Sequence, residues 1–346
     1  MDYEYWCSLS NEELAAKDAA FVNLVAAADL PGTESINFSA VLRRLDEWTK
    51  SVAHQTDYWR PSFVPQDYCR TEAEFCMMAM ITHIQRDLGV TYNPDRMTGH
   101  DNCLDARDSF IHGPLTGHGG TCSSLPILYL AIGQRLGYPV HLVCTVRHLF
   151  LRWDGGGERF NIECAGRGFG RYEDEHYCSW PVQMTAAERQ CGLFLSNFTP
   201  RRTLAAFIYE RGHCLLDNLR LDEALYAYKH ASQLEPAYTP QWAQATMMDK
   251  IMRNLHSKRL SISFPFHTAI DYASQISVEP YQQRMLEVAR LDLHRIVDLH
   301  DARQRDTFED MILRGQFHFQ RHKGSPHVRS VDRPLLQRGS DSDGIR

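Results

Sequence analysis

A cysteine, a histidine and a glutamate stand close together in the middle of this chain, and these three types can share the work of nucleophilic catalysis. Cys122 follows the glycine-rich stretch Gly117-His118-Gly119-Gly120-Thr121 and precedes an apolar run, Leu125 to Leu136. A cysteine attacks as its thiolate, so its proton must have somewhere to go. A helix starting at this point would offer unpaired N–H groups and a partial positive charge beside the sulfur. The Cys122 amide would then donate to an oxyanion forming on an acyl carbonyl. His148 is the candidate base, and Glu163 the candidate that orients its imidazole. The glycine stretch is not a phosphate-binding loop, because no Lys follows its last Gly. His112, His118 and Cys122 make a poorer metal set, with unsuitable spacing and no fourth ligand. Neither a metal nor a cofactor is expected.

The elements that must position these groups can be read from pattern. Val140 to Trp153 reads as one long strand, and Arg159 to Glu163 as a shorter second strand beyond Asp154-Gly155-Gly156-Gly157-Glu158. Alternation puts Val146, His148, Phe150 and Arg152 on one face. A symmetric register through the glycines brings His148 close to opposite Glu163, with cross-strand partners ~5 Å apart at Cβ. A slip of one residue would replace Glu163 by its neighbour.

The first ~110 residues read as helices by apolar spacing. One runs from about Asn11 to Ala28, and a second carries Val41, Leu45, Trp48 and Val52. A third opens with a capping box, Thr71 with Glu74, and stops at Gly89. Its Met77-Met78-Ala79-Met80 stripe reads as core packing. Residues 90–121 form a long connection of the kind that is functional or hides a short helix. The acidic segment Tyr172 to Tyr177 reads as surface.

From about Thr203 the chain is helical again. With Ala205 as position 1, Gly212, Ala224, Tyr228, Ala231 and Pro236 fall at 8, 20, 24, 27 and 32, which resembles one tetratricopeptide repeat over 205–238. Ile208 and Arg211 depart from that pattern, and no second repeat follows. Another helix runs from Tyr281 to His300 after Pro280. Residues 322–346 read as a disordered tail.

Composition bounds the function classes. The chain has 346 residues, 23% charged and 43% hydrophobic, as ordinary globular proteins do. A net charge of −6 argues against a general nucleic-acid binder. No apolar run approaches the ~20 residues of a membrane span, and the acidic, aromatic N-terminus lacks the features of a signal peptide. A cytoplasmic protein is expected. Its ten cysteines are scattered with no C-x-x-C pair, so reduced thiols are expected, most of them buried.

The run Gly-x-Cys-Ser-Ser-Leu-Pro-Ile-Leu-Tyr-Leu-Ala, then Arg-Leu-Gly-Tyr-Pro-Val, His148 and Phe160-Asn161-Ile162-Glu163 resembles the transglutaminase-like superfamily. More narrowly it resembles the bacterial branch that joins such a domain to tetratricopeptide repeats. The resemblance covers about residues 35–240. It implies an α+β fold with a papain-like core, a helical N-terminal region and a helical, tetratricopeptide-like C-terminal region. In that fold Cys122 matches the nucleophile, His148 the base, and Glu163 a position usually held by Asp. The expected divisions are a helical part of the core at 1–110, an α/β core at 111–200, a helical region at 201–321, and the tail. Two functions stay open. One is cysteine acyl transfer, that is, hydrolysis or transfer at an amide or peptide bond. The other is a catalytically silent scaffold that binds a protein partner. Both expect a protein or peptide as substrate or partner, with no nucleic acid and no membrane.

Overall fold

The computed structural model describes residues 1–66, 69–97, 105–236, 242–250, 270–271, 274–275, 277–278 and 280–313. Met1–Asp301 form one compact unit and Ala302–Arg346 a second. The tail expected at 322–346 lies outside the described residues.

Four helices frame the first half: α1 (Ala19–Ala27), α2 (Phe38–Trp59), α3 (Glu72–Thr82) and α4 (Ser124–Arg135). In α4, Ser124 to Gly133 are all buried, so this helix is enclosed on every side and occupies the middle of the fold. It packs on α1 and α2 on one side and on the sheet on the other. In α2, Val41, Leu45, Thr49, Val52 and Thr56 form the buried stripe, at helical spacing.

Two helix expectations need correction. The helix read from Asn11 to Ala28 is two helices, Asn11–Ala15 and α1. Asp18 interrupts it, because its carboxylate accepts from the Ala20 amide at 2.8 Å and starts a new helix. At α3, Thr71 caps the Glu74 amide at 3.2 Å as expected. Glu74 does not close the box. It accepts from the Arg70 amide at 2.5 Å and pairs with Arg171 across the fold. After α3 a π-helical turn, His83–Asp87, leads to Gly89 at φ +72, where the helix stops. The described residues of 90–121 include three short helical pieces, Pro94–Met97, Ala106–Ser109 and His112–Leu115.

The sheet is antiparallel in the order β1 (Val140–Thr145), β2 (His148–Gly155), β3 (Glu158–Glu163), β4 (Gly170–Tyr172). The long strand expected over 140–153 is thus a hairpin. It breaks at Val146-Arg147, with Thr145 pairing His148. Arg147 takes φ +64, a left-handed conformation that costs a non-glycine residue about 1–3 kcal/mol. The next hairpin turns on Gly156 and Gly157, at φ +64 and +82, which suits a two-residue type I′ turn. Gly155 therefore pairs Glu158, and Leu151 pairs Ile162. Continuing that register sets Glu163 abreast of Phe150, not of His148. Because the offset is two residues, His148 and Glu163 still share a face as diagonal neighbours.

Beyond the sheet lie α5 (Asp174–Ser179), α6 (Pro200–Asp217), α7 (Leu221–Leu234) and α8 (Pro280–Leu313). The segment 172–177 is only partly a surface, since Tyr177 is fully buried while Glu173 and Glu175 are exposed. α6 and α7 form a tight pair. A Cβ on Gly212 would come within 2.5 Å of the Tyr228 ring, so only glycine allows this approach. Arg211, one of the residues that departed from the repeat, is buried. It donates to the Tyr3 hydroxyl and the Ala26 carbonyl, each at 2.9 Å, and to the Ala28 carbonyl at 2.5 Å. The short helix Tyr3–Ser8 and the C-terminal end of α1 are thereby fastened to α6. α8 begins at Pro280 as expected and extends past His300.

Candidate active site

Cys122 is held by a loop with little freedom. Gly119 sits at φ +84, and a Cβ there would press on the Asn93 backbone. Gly120 pairs with Tyr92 in a short parallel bridge, through Asn93 N to Gly120 O at 2.8 Å and Gly120 N to Thr91 O at 3.0 Å. Thr121 and Ser124 both donate to the Asp108 carbonyl at 2.8 Å, and the Ser124 hydroxyl accepts from the Thr121 amide at 2.9 Å. The first i to i−4 bond, Leu125 N to Thr121 O at 3.0 Å, encloses Cys122. The cysteine therefore lies in the turn that leads into α4, half-buried, two residues before the helix begins.

His148 opens β2 and is buried. Its Nε2 lies 2.8 Å from Glu163 Oε2. Glu163 accepts two more hydrogen bonds, from the Tyr177 hydroxyl at 3.3 Å and from the Ala165 amide at 2.8 Å. Rings box in the imidazole: Tyr177 stacks at 6.3 Å, and Trp180 stands edge-on at 4.7 Å. Tyr177 is itself placed by a chain of contacts. Buried Arg152 donates to Asp174 at 2.5 Å and to Asn161 at 2.7 Å, fixing the start of α5 on the sheet. Thr145 then donates to the Tyr177 carbonyl at 2.6 Å. Of the face read from the sequence, His148, Phe150 and Arg152 lie on β2 and carry these contacts, while Val146 falls in the turn before it.

Cys122 and His148 line the same two cavities. One, of about 810 Å³, opens between α3, the 90–97 segment and the 165–168 loop. The other, of about 260 Å³, lies against α6 and α8 and is walled mostly by apolar groups, Phe194, Phe207 and Met285 among them. Glu210 of α6 also lines it. Burial, then the negative charges of Glu210 and Glu163, push the Cys122 thiol up to about 11. Its own amide and the Tyr92 hydroxyl pull the other way. Tyr92 lies against both the backbone and the thiol of Cys122, and burial pushes its phenol up to about 12.

The metal set of His112, His118 and Cys122 is not assembled. His118 turns to Asp108, 3.2 Å from its Nε2. His112 is buried between Phe38 and Phe110, and neither ring nitrogen has a hydrogen-bond partner among the described residues. Among those residues the ligand types that cluster are Asp105, Asp108 and His118, and Arg107 and Arg96 already pair with the two carboxylates. The nine described cysteines are all free thiols.

Sequence reasoning missed Tyr92, Arg147, Tyr177, Trp180 and Glu210. They reach the site from a bridge, a two-residue turn, a short helix and a remote helix, none of which leaves a periodic signal near Cys122. No helix among the described residues is long and apolar enough to cross a membrane. No curated protein and no solved structure matches the chain. The fold joins helices to one antiparallel sheet, as an α+β core of the expected kind would. The stretch that carries Cys122, His148, Glu163 and α3 to α5 lies within residues 39–186, and those residues match the family model of the transglutaminase-like superfamily.

Proposed function

We propose that the protein is a cysteine acyl-transfer enzyme acting on an amide or peptide bond, with Cys122 as nucleophile, His148 as base and Glu163 as orienter. The observation that carries this reading is the His148 Nε2 to Glu163 Oε2 contact of 2.8 Å beside cavities shared with Cys122. Glu163 occupies Nε2, which leaves Nδ1 to take the thiol proton. As sulfur bonds to the acyl carbon, that proton moves to His148, and the carbonyl oxygen becomes an oxyanion. His148 then returns the proton to the departing amine as the C–N bond breaks. Water or an acceptor amine attacks the thioester, gives its proton to His148, and the thiol leaves with that proton. A thiol held near 11 is protonated at neutral pH, so attack and proton transfer are coupled.

The same high thiol pKa is the observation that favours the second reading, a silent scaffold that binds a protein partner and whose cysteine never ionises. Site-resolved alkylation by iodoacetamide separates the two. The enzyme reading expects Cys122 to react faster than the other nine cysteines at pH 7.5 and to slow by more than about tenfold in His148→Ala. Equal reactivity among the ten, or indifference to His148, sinks it.

A further inference from the structure

The larger cavity has an uneven charge. Four arginines line it, Arg86, Arg96, Arg147 and Arg167, and no described residue in its wall is a carboxylate. This contrasts with a chain whose net charge is −6. Two of the four are already neutralised: Arg86 by Asp87 at 2.7 Å and Arg96 by Asp108 at 2.6 Å. Arg147 and Arg167 are exposed, and neither makes a hydrogen bond or ion pair with a described side chain. Arg147 also lines the smaller cavity, so it borders both of the spaces that Cys122 and His148 line.

Its backbone adds an independent observation. Arg147 occupies φ +64 in a turn where Gly or Asn would sit without strain. Strain of this kind collects at functional positions, where the side chain is worth more than the relaxed turn. Two free cations in a concave wall focus a positive field on whatever enters, and planar guanidinium groups match carboxylates in a two-point contact.

We infer that the larger cavity binds an acyl donor bearing carboxylates next to the bond that is cut, and that Arg147 and Arg167 select it. Acidic peptide segments are the chemical class that fits. The acyl part then crosses Arg147 to reach Cys122, and apolar groups find the smaller cavity. The inference rests on the acyl-transfer reading for its chemistry, but the groove can be tested without the thiol.

Three peptide amides of equal length serve as probes, one carrying four glutamates around a central glutamine, one with those glutamates replaced by glutamine, and one with them replaced by lysine. Each is titrated by calorimetry into the full chain carrying Cys122→Ala, so no turnover is needed. The glutamate peptide should bind about tenfold more tightly than its glutamine counterpart at low salt, and the lysine peptide least. Adding Arg147→Gly and Arg167→Gln should bring that ratio close to one with the melting temperature held, since glycine suits the turn. Overturning results are a glutamine or lysine peptide that binds as tightly as the acidic one, a ratio that survives the double substitution, or no binding by any of the three. Alkylation of the unmodified chain reports on the nucleophile alone, so a failed groove and a failed enzyme give different results.

Discussion

Cys122 enters any reaction as a thiol whose ionisation is opposed first by burial and then by two carboxylates, Glu210 and Glu163. Below a pKa of about 11 the thiolate fraction grows about tenfold per pH unit, so alkylation of Cys122 in His148→Ala should climb about tenfold with each pH unit from 7 to 10. With His148 present the slope should flatten, because the imidazole accepts the proton. A slope that is the same in both chains would mean that His148 does not serve the sulfur. Glu210→Gln removes one of the opposing charges and should raise the alkylation rate at pH 8 about three- to tenfold. Cys122, His148 and Glu163 could be picked out of the sequence as candidates because their residue types announce their chemistry. Glu210 could not, since nothing in the order of residues shows that α6 returns to the cavity behind Cys122.

The elements explain why the reading of the sheet was half right. His148 and Glu163 share a face, as alternation required, but they are not directly opposite: Glu163 is set abreast of Phe150, two residues along the strand. Gly156 and Gly157 take the turn between them and shift every pair. The side chains still meet because diagonal neighbours on a face lie within reach of long groups. The hairpin at Val146-Arg147 was hidden, since its turn carries neither Gly, Asn nor Pro and the apolar pattern continues through it. Two glycines give tests at this scale. Gly113→Ala would place its Cβ on the Arg107 carbonyl, so the 105–121 segment must shift, and urea unfolding should show a loss of about 3 kcal/mol. Gly212→Ala should cost about 1–3 kcal/mol by overpacking Tyr228 in the α6–α7 contact. A neutral result at Gly212 would show that the two helices can separate freely.

At the scale of the molecule, acid sensitivity follows from His112. Burial lowers its pKa from 6.5 to about 4, with Asp105 opposing and Arg107 and His118 adding to the shift. The unfolded chain therefore takes up this proton at higher pH than the folded one. Stability from this group is complete above about pH 6.5 and falls as pH drops toward 4, by about 3 kcal/mol in all. His112→Leu should remove that part of the acid loss and leave stability at pH 7 equal or higher, because no hydrogen bond is given up. An unchanged pH profile in unfolding experiments would acquit His112. The Arg211 anchor bears on what can be cut away. Residues 39–186 hold the three chemical groups, yet the wall behind Cys122 belongs to α6, and α6 is tied through Arg211 to Tyr3, Ala26 and Ala28. A fragment trimmed to the recognisable stretch would bare Leu204, Phe207 and Ile208's partners to water and leave the sulfur open on its far side. Such a truncated protein would be a poor witness for or against catalysis. The smallest faithful specimen begins with the helix of Tyr3 and ends no earlier than Asp301.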